Sequence, residues 1–193
     1  MIKNTNIKQE VPIDICKHII VENCKACLLY KKRKNIVNGF GNRNSSLMMV
    51  GEAPGREEDL IGRPFVGASG KLIDESLDLI NIVREDIYIS NVVKCRPPNN
   101  RDPNELEIKT CLPYLIYEIM TIKPKVICLL GRVASKVFIS DFKSITKQEG
   151  KIYTILNGIK IIPVCHPSYY LRNYAPKERF FSTIKKAYSE CLV

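Results

Sequence analysis

The chain has 193 residues, enough for one compact domain with a substantial core and too few for two of ordinary size. Its 30 Lys and Arg against 20 Asp and Glu leave a formal net charge of +10, which favours a polyanionic partner such as nucleic acid. No apolar run is long enough to span a bilayer, and the N-terminal stretch with Lys3, Lys8, Glu10 and Asp14 has no signal-peptide core, so a soluble, cytoplasmic protein is expected.

Residues 1 to about 45 are polar, basic and irregular, apart from a short helix predicted over Ile13 to Ile20. They carry the C-x-x-C pair Cys24 and Cys27, followed at once by Lys31-Lys32-Arg33-Lys34, a run that reads either as a solvated loop or as a phosphate contact. Leu47-Met48-Met49-Val50 is the first buried strand. It breaks into the loop Gly51 to Gly70, GEAPGREEDLIGRPFVGASG, which gathers Glu52, Glu57, Glu58 and Asp59 and a lone aromatic, Phe65. Ligands of open α/β folds bind at the carboxyl ends of strands, so this loop is a candidate pocket. It is not a phosphate loop, which needs Gly where Phe65 stands and Ser or Thr where Leu72 stands.

From Gly67 the period changes, and Leu72, Ile73, Leu77, Leu79 and Ile80 predict an amphipathic helix to about Ile82. Asp86 to Val93 is a second strand, ending in the loop Lys94 to Pro103. A helix follows over about Asn104 to Thr121, with Asp102 as N-cap, Pro103 in its first turn and Cys111 turned inward. Lys125 to Leu130 is a third strand, apolar enough to be buried on both faces, and Gly131 opens a helix to about Phe138. Lys151 to Leu156 and Ile159 to Val164 flank Asn157-Gly158, a hairpin-turn signal. The second run leads into Cys165-His166-Pro167-Ser168-Tyr169-Tyr170-Leu171-Arg172, and a basic helix over about Lys177 to Glu190 closes the chain.

Strand, loop and helix in alternation predict an α/β fold with right-handed crossovers and a parallel central sheet. The loops led by Glu52, Asn91 and His166 then converge on one sheet edge. The eight cysteines, in a chain without an export signal, argue against a disulfide framework. Cys24 and Cys27 with Cys95 and Cys111 can instead close around one metal centre, zinc or iron-sulfur, which spacing does not distinguish. Cys16, Cys128, Cys165 and Cys191 stand singly, and Cys128 is a small core residue.

Taken together, Gly51-Glu52-Ala53-Pro54-Gly55 with Glu58-Asp59, Gly62-Arg63-Pro64-Phe65-Val66-Gly67, Asn91-Val92-Val93-Lys94-Cys95-Arg96-Pro97-Pro98 and His166-Pro167-Ser168 resemble the motif set of the family 4 uracil-DNA glycosylases, in family order, from about Cys24 to Arg172. The resemblance implies a three-layer α-β-α sandwich around a central, mostly parallel four-stranded sheet, built as a single domain whose residues 1–45 contribute two of the cluster cysteines. It implies a monofunctional enzyme that flips uracil out of DNA and hydrolyses the glycosidic bond, leaving an abasic site for base excision repair. Phe65 is then the stacking aromatic, Asn91 reads N3–H and O4 of the base, and His166 donates to uracil O2. Glu52 and Ala53 form the pocket wall, with Glu52 also catalytic, and Glu58 orients the water. Ser168, Leu171, Arg172 and Arg96 meet the DNA, with Leu171 and Arg172 as the wedge. Cys24, Cys27, Cys95 and Cys111 hold a structural 4Fe-4S cluster.

Arg96 to Cys111 contains no His, unlike a related branch that binds uracil-DNA covalently, so turnover is expected. The alternative is a DNA-binding or redox-sensing module with an iron-sulfur or zinc centre and no glycosylase activity. No long heptad is visible, which predicts a monomer.

Overall fold

The computed structural model describes residues 21–172 and 174–192; the predicted helix over Ile13 to Ile20, with Cys16 and His18, lies outside them. A two-residue strand, β1 (Phe40–Gly41), precedes β2 (Leu47–Gly51), which is buried at every position as its unbroken apolar run requires. The acidic stretch after it is partly helical, α1 (Arg56–Ile61), with Glu57, Glu58 and Asp59 in the first turn, where the helix dipole favours anions. One and a half turns are too few to show a helical period, which is why the segment read as loop.

α2 (Ala68–Asp78) buries Leu72, Ile73 and Leu77, and a 3-10 turn at Arg84–Asp86 leads into β3 (Tyr88–Asn91), shorter than the predicted strand at both ends. α3 (Glu105–Ile122) begins two residues later than an Asp102 cap would require. Asn104 is the cap, its Oδ1 accepting from the Glu107 N–H while Glu107 Oε2 accepts from the Asn104 N–H, a reciprocal pair that Asp102 lacks.

β4 (Val126–Leu130), α4 (Arg132–Phe138), α5 (Ile145–Gln148) and β5 (Tyr153–Thr154) follow, then β6 (Lys160–Val164), α6 (Pro167–Leu171) and α7 (Lys177–Ser189). The predicted hairpin is present: β5 runs antiparallel to β6, and the turn between them carries Asn157 at φ 63° and Gly158 at φ 78°.

The strands form one sheet in the order β1-β3-β2-β4-β6-β5. Its four central members are mutually parallel, as expected, and the two-residue strands extend each edge antiparallel. Alternation along the strands divides the core. Leu47, Met49, Cys128 and Ile162 face α2, α6 and α7 through Leu72, Tyr170 and Phe180, whereas Met48, Val50, Ile127 and Leu129 face α3 through Leu115 and Ile119. These are the three layers of an α-β-α sandwich. β2 pairs with β3 on one side and β4 on the other, so the chain reverses its direction of travel across the sheet at β2. Such a reversal opens a crevice beyond the strand ends. Among the described residues no helix is long and apolar enough to cross a membrane.

Candidate active site

The crevice is an open cleft of about 830 Å³, lined among others by Glu52, Phe65, Asn91, Asp102, His166 and Arg172. Glu52 and Asn91 leave the ends of adjacent parallel strands, with Gly51 in register with Asn91. The Val92 N–H donates to the Gly51 carbonyl at 2.9 Å and the Val93 N–H to the Glu52 carbonyl at 3.1 Å, so the ladder continues past the sheet and locks the two loops together.

Asn91 is buried, and its Oδ1 has no hydrogen-bond partner. An unpaired buried acceptor costs about 1–3 kcal/mol, a cost that a ligand donor removes. The Phe65 ring lies close by. A Cβ added to Gly51 would stand 2.4 Å from Asn91 Oδ1 and 2.5 Å from Phe65 Cζ, so only glycine lets amide and ring approach one another. Phe65 itself adopts φ 53°, a left-handed conformation that costs a bulky residue energy. Arg84 holds it there, its Nη2 donating to the carbonyls of Pro64 at 2.8 Å and Phe65 at 2.7 Å while its Nη1 pairs with Asp74 at 2.7 Å. On the other side a Cβ on Gly70 would lie 1.7 Å from the Phe65 carbonyl oxygen.

The third element of the pocket comes from β6. His166 caps α6, with Pro167 at the first helical position, and its Nδ1 accepts from the Ser168 N–H at 3.2 Å and lies 2.9 Å from Ser168 Oγ. The imidazole and the Phe65 ring are tilted by 32° with centroids 6.0 Å apart. Burial pushes the His166 pKa down to about 4, Arg172 adding to the effect and Glu58 opposing it. Glu149 anchors this loop from beneath: its Oε1 accepts from the Cys165 N–H at 2.8 Å and from the Tyr170 hydroxyl, and its Oε2 pairs with Arg179 at 2.6 Å.

The two candidate carboxylates differ. Glu58 Oε2 accepts from the Gly55 N–H at 3.1 Å, and Oε1 from the N–H groups of Val66 at 3.0 Å and Gly67 at 3.1 Å. Glu58, expected to orient the water, lines the cleft, with both oxygens accepting from N–H groups of the loop that carries Phe65. Glu52 is raised to about 7, chiefly by burial, with Asp102 adding and Arg132 opposing. Asp102, expected as a helix cap, is ion-paired with Arg132 at the start of α4, and the two residues complete this wall. Ala53 and Ser168 also line the cleft, as does Leu171, the half-buried last residue of α6. Arg96 is outside that lining, its Nε donating to Asn100 Oδ1 at 2.7 Å, and Arg101 stands in the cleft instead.

Cys24, Cys27, Cys95 and Cys111 line one small cavity between the N-terminal segment and α3. Among the described residues no three His, Cys, Asp or Glu side chains gather closely enough to hold a single metal ion. The sulfurs are nonetheless prepared to carry charge. Arg33 Nη1 donates to Cys95 Sγ at 3.1 Å and Nη2 to the Cys24 carbonyl at 2.7 Å, while the Lys94 N–H donates to Cys111 Sγ at 3.3 Å. Without a metal, burial raises the thiols of Cys27 and Cys95 and pushes Cys111 up to about 12. Arg33, from the run read as solvated or phosphate-facing, belongs to this cavity. Cys128 and Cys191 are core residues of the opposite face.

An α/β sandwich that brings an aromatic ring, a buried unpaired amide and a neutral imidazole together at its switch point defines a receptor for a planar heterocycle. The chain belongs to the uracil DNA glycosylase superfamily, whose family model matches residues 38–188. It is 43% identical over 185 residues, 92% of each chain, to a protein of Archaeoglobus fulgidus named type-4 uracil-DNA glycosylase. A protein of the same name from Thermotoga maritima is 50% identical over 154 residues, 79% of this chain and 80% of the relative. Another, from Saccharolobus solfataricus, is 43% identical over 88% of this chain and 83% of its own.

Proposed function

We propose that this protein is a monofunctional uracil-DNA glycosylase of base excision repair, carried by one domain. The observation that carries the reading is the buried, unpartnered Oδ1 of Asn91 beside the Phe65 ring. Uracil presents N3–H and O4 side by side, so one amide accepts from the first and donates to the second. Phe65 stacks on the flipped base, with Arg84 and the close approach of Gly70 holding its backbone.

Glycosidic cleavage leaves positive charge on the sugar and negative charge on uracil. His166, with Nδ1 engaged by Ser168, carries its proton on Nε2, and a neutral donor placed at uracil O2 stabilises the departing anion without reorganisation. We assign the water to Glu52, because Glu58 is committed to backbone N–H groups. The ionised Glu52 carboxylate accepts from the water and favours the sugar cation. Glu58 then acts through loop shape. Arg172, Arg101 and Arg132 at the cleft rim supply positive charge for DNA phosphates, with Ser168 and Leu171 beside them.

The four thiols that line one cavity are the donor set that the resemblance to family 4 assigns to a 4Fe-4S cluster. The N–H donors to Cys95 and Cys111 suit cluster thiolates. When bound, the cluster supplies a rigid cross-link between the N-terminal segment and the Asn91 loop.

Incubation of anaerobically purified protein with DNA containing one uracil, followed by alkali, tests the reading. Strand cleavage at uracil that disappears in Asn91→Ala is expected. A folded protein that leaves uracil-DNA intact would overturn it. Iron and sulfide analysis of the same sample tests the cluster, and stoichiometric zinc would refute it.

A further inference from the structure

We propose that Lys94 is a positioning residue for base recognition: its ammonium, ion-paired to Glu118, holds the backbone carbonyl of Asn91 so that the Asn91 side chain meets uracil from one fixed place. The inference rests on the glycosylase reading above and adds to it a determinant that touches no substrate.

Lys94 and Glu118 are the most deeply buried ion pair among the described residues, each side chain 1% exposed, with Nζ 2.7 Å from Glu118 Oε2. All three ammonium donors are used. Besides Glu118 they go to Ser90 Oγ at 2.5 Å and to the Asn91 carbonyl at 3.1 Å. Ser90 Oγ donates onward to Glu118 Oε2 at 2.7 Å, and Glu118 Oε1 accepts from the Gly39 N–H at 3.3 Å. Among the described residues these side chains meet the cleft lining through the Asn91 carbonyl, while the Lys94 N–H donates to Cys111 Sγ on the cysteine side.

Its position argues against a purely structural purpose. The pair sits in the core face formed with α3, among residues such as Val92, Leu115 and Ile119 that would pack an apolar substitute readily. Desolvating two charges costs stability that a hydrophobic pair would not, so packing alone does not account for the pair. What it does here is grip the peptide immediately after the base-reading side chain. The N–H of this peptide, on Val92, bonds to the Gly51 carbonyl at 2.9 Å, and Lys94 holds its carbonyl from the opposite side. Holding the Asn91 carbonyl fixes where the Cα–Cβ bond points, and so where the amide stands against the base edge whose N3–H and O4 it reads.

The test replaces both charges at once, Lys94→Met with Glu118→Leu, because removing one alone would strand the other in the core. Three readings are taken on the variant: thermal unfolding, affinity for DNA carrying an abasic-site analogue, which has no base edge to read, and affinity for free uracil together with kcat/KM on uracil-DNA. The expected result is a folded protein with abasic-DNA affinity within twofold of wild type and uracil affinity and kcat/KM each reduced at least tenfold. A folded variant with wild-type uracil affinity overturns the proposal. If the double variant does not fold, the Lys94 ammonium resonance in the wild-type protein decides: it should shift in proportion to uracil occupancy, and a resonance that does not move overturns the proposal equally. Wild-type protein that neither binds nor excises uracil would instead overturn the glycosylase reading and the inference with it.

Discussion

The backbone N–H of Ser168 donates to Nδ1 of His166 across 3.2 Å, and that bond decides which ring nitrogen is left free to donate. Nδ1 accepts, so the neutral ring carries its proton on Nε2. Burial and Arg172 keep the ring neutral down to about pH 4. Nitrogen-15 NMR should find the Nε2–H tautomer from pH 5 to 8, and an imidazolium at pH 6 would refute the assignment. His166→Ala should lower kcat by about 10²–10³-fold, the loss expected for one preorganised donor. Because the folded pKa lies below the unfolded value of 6.5, this residue removes stability as pH falls from 6.5 towards 4.

Glu52 titrates in the opposite sense. Its pKa is raised to about 7, so it is protonated and unable to accept from water below that pH. The rate constant kcat/KM should rise with pH through about 7 and level off above it. Glu52→Gln should remove that rise and lower the plateau by about 10²–10⁴-fold. Asp102→Asn, by deleting the neighbouring charge, should move the midpoint to lower pH. A profile flat from pH 5 to 9 would exclude Glu52 as the base.

Gly51→Ala would put a methyl group 2.4 Å from Asn91 Oδ1 and 2.5 Å from Phe65 Cζ. The ring or the amide must yield, so uracil affinity should fall by more than tenfold even where the protein stays folded. Isothermal titration with free uracil measures this, and unchanged affinity would show that the two groups do not form one pocket.

Glu58 separates loop shape from chemistry. Glu58→Ala strips three backbone N–H groups of their acceptor and should cost about 2–3 kcal/mol of stability, read by denaturant titration. Glu58→Gln keeps one acceptor oxygen and should retain most of kcat with a raised KM. A Glu58→Gln protein of unchanged stability and abolished kcat would return the water to Glu58.

The site was legible in the sequence where function depends on residue type in a local setting. Glu52, Phe65, Asn91 and His166 each stand in a short motif beside a strand end, and the resemblance places them in a common order. Arg33, Arg84 and Glu149 were not legible, because each acts on a backbone carbonyl, sulfur or N–H group brought near only by folding. The short helices α1, α5 and α6 were missed for a different reason, having too few turns to display a period.

The sequence by itself determined the layered α/β fold, because short apolar runs alternating with amphipathic segments are the pattern of buried parallel strands covered by helices on both faces. It also determined which loops meet, since strands of one direction end on one edge. Only the tertiary structure decided which carboxylate is committed to backbone N–H groups, which nitrogen of His166 is free, and that Lys94 lies buried behind Asn91. Such roles depend on the partners and solvent exposure of single polar atoms, and those are set by contacts between segments far apart in the chain.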